Sequence, residues 1–286
     1  MHRAALISVL AAVPTLVLSL GACNGDDASA PIRTYVSIGD SFTSGAGLAE
    51  TTSAVCQRSR LAYPALVAKE LDAKLEDASC GGAVTANVTT PQVFSVAPVP
   101  PQLDAVNRST DLVTVGLGYN DYNWFGGFFI FGCPTLAPAD PDGHPCEDRP
   151  PVGNDAEATA RALGEQIGVV LERIQEKAPD ARVMLVGYPQ LVPASGTCPE
   201  LPLATGDYPY VRSLMELLDD ELRRAADSAG VTYVDVLEAS EGHDICAGDQ
   251  AWVNGSTTLP GVAAVYHPLE RGQRAVADLV LAAVDD

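Results

Sequence analysis

Thr34-Tyr35-Val36-Ser37-Ile38-Gly39-Asp40-Ser41-Phe42-Thr43 is a short β-rich run that stops at a glycine and passes at once into a polar Asp-Ser pair. Strand, Gly and polar residue in that order mark the point where a strand hands over to a helix. The same rhythm recurs along the chain. Asp111 to Val115, Val183 to Val186 (ended by Gly187) and Val231 to Val236 are nearly continuous apolar runs, as expected of strands covered on both faces. Between them, Leu61 to Leu75 has helical apolar spacing. Residues 155–177 place Leu163, Ile167, Val170, Leu171 and Ile174 on one helical face, and residues 208–229 do so with Leu214, Leu217, Leu218 and Leu222. Leu269 to Val284 reads as a closing helix. Strands alternating with helices predict right-handed βαβ units, hence an α/β fold with a central parallel sheet and helices on both sides. No internal repeat interrupts this order.

The chain has 286 residues, 47% of them hydrophobic, and a formal charge of −20. A sizeable core can be buried, and the length suits one α/β domain. So acidic a chain does not bind nucleic acid or anionic lipid headgroups by charge attraction.

The N-terminus reads as an export segment over residues 1–22. His2 and Arg3 are followed by the apolar run Ala4 to Leu20, which contains Pro14 and ends at a polar stretch. Its end, Leu20-Gly21-Ala22-Cys23, resembles the bacterial lipobox, in which the cysteine is acylated and becomes the first mature residue. Ordinary cleavage nearby with a free Cys23 is the plainer alternative. Residues 23–32 then form a tether, and residues 33–286 a single domain. The expected location is outside the cell, either anchored to the outer face of the membrane through lipid on Cys23 or secreted. Seven cysteines are present; with Cys23 acylated, six remain for three disulfides, which fits an oxidising compartment. Six cysteines allow fifteen pairings. Chain order suggests Cys56–Cys80, Cys133–Cys146 and Cys198–Cys246. No Cys-x-x-Cys pair occurs and the few histidines lie far from the cysteines, so no metal site is expected.

Two stretches break the rhythm. Residues 122–153 hold the apolar run Trp124 to Phe131 and then a Pro- and Asp-rich loop bounded by Cys133 and Cys146; residues 188–207 are rich in Pro and Gly around Cys198. Long connections in a compact domain are often functional. A disulfide-pinned surface loop is the simpler reading, and the favoured one for residues 188–207.

In an open parallel sheet, ligands sit at the carboxyl ends of the strands. Three polar groups fall there: Ser41 after the first strand, Asn120 in Gly116-Leu117-Gly118-Tyr119-Asn120-Asp121 after the second apolar run, and His267 in Tyr266-His267-Pro268 ahead of the last helix. A serine hydroxyl becomes a nucleophile when a base takes its proton, and a histidine near neutrality suits that role. An Asn amide and backbone N–H groups can hold the oxyanion that results. Of the four histidines, His2 lies in the export segment, His144 in the acidic loop and His243 in a Glu-Gly-His-Asp turn, which leaves His267 as the candidate base. Gly-Asp-Ser or Gly-x-Asn-Asp alone is as often a turn. Gly-x-Ser-x-Gly is absent around Ser41, so a nucleophile elbow is not supported.

Taken together and in order, these blocks resemble the GDSL/SGNH hydrolase family, and within it the secreted actinobacterial lipases and esterases. The blocks are Gly39-Asp40-Ser41, Ser79-Cys80-Gly81-Gly82-Ala83, Gly118-Tyr119-Asn120-Asp121 and His267-Pro268. The resemblance implies an SGNH-hydrolase, flavodoxin-like three-layer sandwich active on carboxylic esters. It makes Ser41 the nucleophile and His267 the base, with an oxyanion hole from the Ser41 and Gly82 N–H groups and the Asn120 amide, and no cofactor. Similar secreted members carry three sequential disulfides, in agreement with the pairing above. One departure stands out. The family's Asp three residues before the His is here Ala264. A Ser–His dyad is therefore expected, with the carbonyl of Ala264 or Val265 orienting His267. The alternative is an acid from elsewhere, such as Asp244 or Asp249, while Asp40 is expected to brace its loop.

The substrate follows less directly. The run Trp124 to Phe131 either flanks the cleft and holds an acyl chain or a lipid surface, or forms the core of its own insertion. A monomeric lipase or esterase on fatty-acyl esters is the leading expectation. A phospholipase or a cell-wall carbohydrate acetylesterase would use the same site. A solute-binding lipoprotein without catalysis would keep only the fold.

Overall fold

The computed structural model describes residues 1–2, 31–151, 153 and 155–285, and the chain from Ile32 onward forms one compact unit. The expected export segment from Arg3, the lipid acceptor Cys23 and the tether as far as Ala30 lie outside the described residues. Five strands form a parallel sheet: β1 (Thr34–Gly39), β2 (Lys74–Asp77), β3 (Leu112–Gly116), β4 (Arg182–Val186) and β5 (Thr232–Val234). Their order is β2-β1-β3-β4-β5. The chain leaves β1 to one side, forms β2, and returns across β1 to β3. The carboxyl end of β1 is thus the switch point of the sheet, where such folds open a crevice.

Alternation along each strand sends side chains to two cores. Val36, Ile38, Val113, Val115, Val183 and Leu185 face one side. There they meet two long helices, α3 (Ala156–Lys177) and α4 (Asp207–Ala229). Tyr35, Leu112, Met184 and Val186 face the other, against α2 (Tyr63–Glu70) and α5 (Glu270–Asp285). A short helix, α1 (Ser41–Ser44), begins directly after β1. The three-layer sandwich follows from strands apolar on both faces and helices apolar on one.

The helix expected over Leu61 to Leu75 is shorter, and its end contributes a strand. Asp72 takes a left-handed φ of 50°, which breaks the helix, and Lys74–Asp77 then pairs with β1 as the sheet edge. Carrying Lys74, Glu76 and Asp77 and alternating between exposed and half-buried positions, β2 has no apolar run to announce it. At the other edge, the strand expected over Val231 to Val236 stops at Val234. The Asp235 carboxylate accepts the Glu238 N–H at 3.0 Å and starts a helical turn instead.

Of the two readings of Trp124 to Phe131, the buried one holds for most of the run. Trp124, Phe125, Phe128 and Phe129 lie in the core and Phe131 is exposed. A π-helical turn at Gly126–Phe131 packs them, and the insertion is clipped to α4 where the Asp207 carboxylate accepts the N–H groups of Cys146 and Glu147. Residues 188–207 are pinned by a disulfide yet are not only surface: Leu191, Val192, Leu201 and Ala204 are fully buried. The disulfides join Cys56 to Cys80, Cys133 to Cys146 and Cys198 to Cys246.

One backbone approach joins the start of the domain to its end. Ala46 accepts the Ala264 N–H at 2.9 Å, and a Cβ on Gly47 (φ 85°) would lie 2.1 Å from that nitrogen. Gly47→Ala is expected to cost at least about 2 kcal/mol, from its left-handed φ together with a clash against rigid backbone. A lowered urea midpoint would register the loss; an unchanged midpoint would mean that the two segments are not held this closely.

Candidate active site

The carboxyl ends of β2, β1 and β3 lie side by side, and each opens into one of the sequence blocks. After β1, Asp40 caps α1: its carboxylate accepts the Phe42 N–H at 2.8 Å and the Tyr188 O–H at 2.6 Å. Burial pushes the Asp40 carboxyl up to about 7 against these two stabilising bonds. Asp40 thus braces the loop and touches neither Ser41 Oγ nor His267. Gln102 clamps the preceding residue, accepting from Gly39 N at 2.8 Å and donating to Gly39 O at 2.9 Å.

Ser41 and His267, 226 residues apart, meet with Nε2 at 2.7 Å from Oγ. The other ring nitrogen, Nδ1, lies 2.7 Å from the Val265 carbonyl. A carbonyl cannot donate, so Nδ1 carries the hydrogen, Nε2 presents its lone pair, and the Ser41 hydroxyl donates to it. Of the two carbonyls considered, Ala264 is otherwise engaged: it accepts the His267 N–H at 3.2 Å and the Asn254 amide at 2.9 Å. With both ring nitrogens occupied, no carboxylate among the described residues bonds to His267. Asp244 instead accepts the Cys246 N–H, and Glu270 pairs with Arg274.

The turn that presents Val265 is held tightly. Val265 N–H donates to Thr258 Oγ1 at 3.1 Å, and Asn254 N–H to the His267 carbonyl at 2.9 Å. Tyr266 takes a left-handed φ of 56°, a strain tolerated because its N–H is fixed to the Gly255 carbonyl. The imidazole is buried, with Phe42 4.7 Å away across a tilted face and Phe125 edge-on at 5.5 Å. Burial lowers its pKa to about 4, and the Val265 bond opposes this only partly. His267 is therefore neutral at neutral pH.

Gly82 lies beyond β2, just past Cys80 of the first disulfide. Its left-handed φ of 76° favours glycine. Asn120 lies beyond β3, and its amide donates to the Ala83 carbonyl at 3.0 Å. That bond uses one of two amide hydrogens and aligns the Gly82 and Asn120 loops. Beneath it, the buried Asp121 carboxylate accepts both the N–H and the hydroxyl of Thr85. Burial raises the Asp121 carboxyl above the usual carboxylate range. His144 and His243 stand apart from this cluster, paired with Asp148 and stacked on Trp252.

Tyr188, Gln102, Asn254 and Thr85 were not among the sequence candidates. Tyr188 had a usable signal, since it follows β4 and Gly187 at the same edge as the other blocks. It accepts the Tyr119 N–H at 3.2 Å and stacks on that ring, so it joins the Ser41 and Asn120 loops. Next to these loops a groove of about 870 Å³ runs along α3. Val84, Leu103, Tyr122, Val169 and Val170 line it, with Thr85, Thr89, Asp121, Gln166 and Arg173 as polar points.

The family model of the GDSL-like Lipase/Acylhydrolase family matches residues 37–275. A Streptomyces coelicolor protein named Lipase 2 is 37% identical over 96% of this chain and 95% of its own. The crystal structure of phospholipase A1 from Streptomyces albidoflavus superposes with a TM-score of 0.70 at 28% identity, covering 89% of this chain and all of that one. The extracellular lipase from Streptomyces rimosus gives 0.69 at 29% identity, over 88% of this chain and 99% of that one. The chain belongs to the GDSL-like lipase/acylhydrolase family and is a carboxylic ester hydrolase.

Proposed function

We propose that the protein is an exported lipase or esterase that cleaves fatty-acyl esters through an acyl-enzyme on Ser41, with His267 as sole general base. The 2.7 Å contact between His267 Nε2 and Ser41 Oγ carries this reading. As Oγ attacks the ester carbonyl, its proton passes to Nε2. The oxyanion is held by the N–H groups of Ser41 and Gly82 and by the free amide hydrogen of Asn120. His267 then gives the proton to the departing alkoxide. Water attacks the acyl-enzyme, His267 takes its proton, and the acid leaves as Ser41 recovers its hydrogen. No metal or organic cofactor enters. The Val265 carbonyl stabilises the imidazolium less than a carboxylate would, and burial keeps the base neutral in the resting state.

The leaving alcohol is protonated on the His267 side, so the acyl chain points away from it. The groove lined by Val84, Thr85 and Asp121, neighbours in sequence of Gly82 and Asn120, is the candidate to receive it, and its volume and mostly apolar lining suit a hydrocarbon chain. Likeness to phospholipase A1 favours a phospholipid as one form of the ester. Export is supported by the extracellular lipase among the relatives, and anchoring by the Leu20-Gly21-Ala22-Cys23 sequence.

A fluorophosphonate probe is expected to label wild type and not Ser41→Ala, whose hydrolysis of a soluble ester should fall by about 10⁴-fold or more. Labelling of both, or of neither, would remove Ser41 as nucleophile. The log of kcat/KM should fall on the acid side through a pKa of about 4, because the neutral imidazole is the active form and burial disfavours its protonation. An acid limb centred near 6.5 would contradict a buried base. With p-nitrophenyl esters of graded length, kcat/KM is expected to rise by up to about fourfold per methylene as the chain enters the groove. A preference for acetate would favour the carbohydrate acetylesterase reading.

A further inference from the structure

Residues 78–103 contain no charged side chain, in a chain whose formal charge is −20. In the middle of this run Gln92 and Val99 pair antiparallel, each N–H donating to the other's carbonyl at 3.0 and 2.8 Å. The pair closes a loop over residues 93–98, Val-Phe-Ser-Val-Ala-Pro. At its tip Val93 and Val96 are 81% and 80% exposed, and Phe94 is half-buried between them. A single exposed valine is ordinary, but two of them flanking a phenylalanine on one six-residue loop group apolar surface at one tip. Pro91, Pro98, Pro100 and Pro101 stiffen the loop's base.

The base is tied to the active site. The Gln92 side-chain amide donates to the Gly81 carbonyl at 2.9 Å, one residue from Gly82. Thr89, just before the loop, lines the apolar groove. The tip is thus held at a set position relative to both the oxyanion loop and the groove. Six residues are too few to supply the roughly 800 Å² per partner of a stable protein interface. They do suffice to bury two valines and a phenylalanine in the outer few ångströms of a bilayer, where a charge would be costly.

We propose that the loop 93–98 is an interfacial docking element that inserts its apolar tip into the surface of a lipid bilayer beside the active site. The acyl-enzyme reading supplies the reason for docking there, but insertion does not require it.

The direct test introduces a reporter at the tip. Full-length Val96→Trp is titrated with phosphatidylcholine vesicles, against wild type, whose Trp124 is buried and whose Trp252 is half-buried. The added emission should shift to the blue and be quenched by lipids brominated on their acyl chains. No shift or quenching beyond wild type would overturn the proposal. So would a blue shift that grows with protein concentration without lipid, which would make a second copy the occupant. In the second arm, a Val93→Ser/Val96→Ser variant should hydrolyse vesicle lipid at least about tenfold more slowly and a soluble short-chain ester at the wild-type rate. Equal loss on both substrates, or none on vesicles, would overturn it. Inactivity of wild type on the soluble ester would sink the Ser41 reading instead and leave the tryptophan readout to decide docking.

Discussion

The hydrogen bond from His267 Nδ1 to the Val265 carbonyl is the constraint on which the site depends. It sets the tautomer, aims Nε2 at Ser41, and does so without a formal charge. A backbone carbonyl is useful as an orienting group only when the chain that bears it cannot move. Here that rigidity comes from Asn254, Thr258, a strained Tyr266 and the close approach of Ala46 and Gly47 to Ala264. A carboxylate would have needed one side chain for the same task. This chain uses a whole turn, from 254 to 267, packed against the segment that follows the short helix Ser41–Ser44.

On the other side of Ser41 the constraint is a set of buried polar groups, each satisfied. Asp40 is shared between Phe42 and Tyr188, Tyr188 reaches Tyr119, Gln102 holds both polar atoms of Gly39, and Asp121 holds Thr85. In a low dielectric these bonds are strong and their loss leaves costly unpaired atoms. They link the ends of β1, β3 and β4 without further chain, so the loops carrying Ser41, Gly82 and Asn120 behave as one piece.

Much of this was legible beforehand, and the reasons are particular. Strands such as Val183 to Val186 are buried on both faces and so appear as unbroken apolar runs. Ser41, Asn120 and His267 stand out because each follows or precedes such an element at the same edge. The edge strand Lys74–Asp77 was hidden because only one side of it pairs and three of its four residues are charged. The Trp124 to Phe131 run left two readings open, since apolar content alone does not tell a core from a surface. The polar partners Tyr188, Gln102 and Asn254 were invisible for another reason: each acts across long sequence distances, and nothing local marks a buried hydrogen bond.

The disulfides have a consequence for how the chain acquires them. Their partners are separated by 24, 13 and 48 residues, without interleaving. In a polypeptide that emerges N-terminus first, each cysteine finds its proper mate in the next one to appear, so oxidation in order of arrival needs no reshuffling. That order holds only from Cys56 onward. A free Cys23 would come first and claim Cys56, shifting every later pair by one place. Blocking the Cys23 thiol before Cys56 emerges would do more than attach the protein to a membrane: it would put the remaining six in phase.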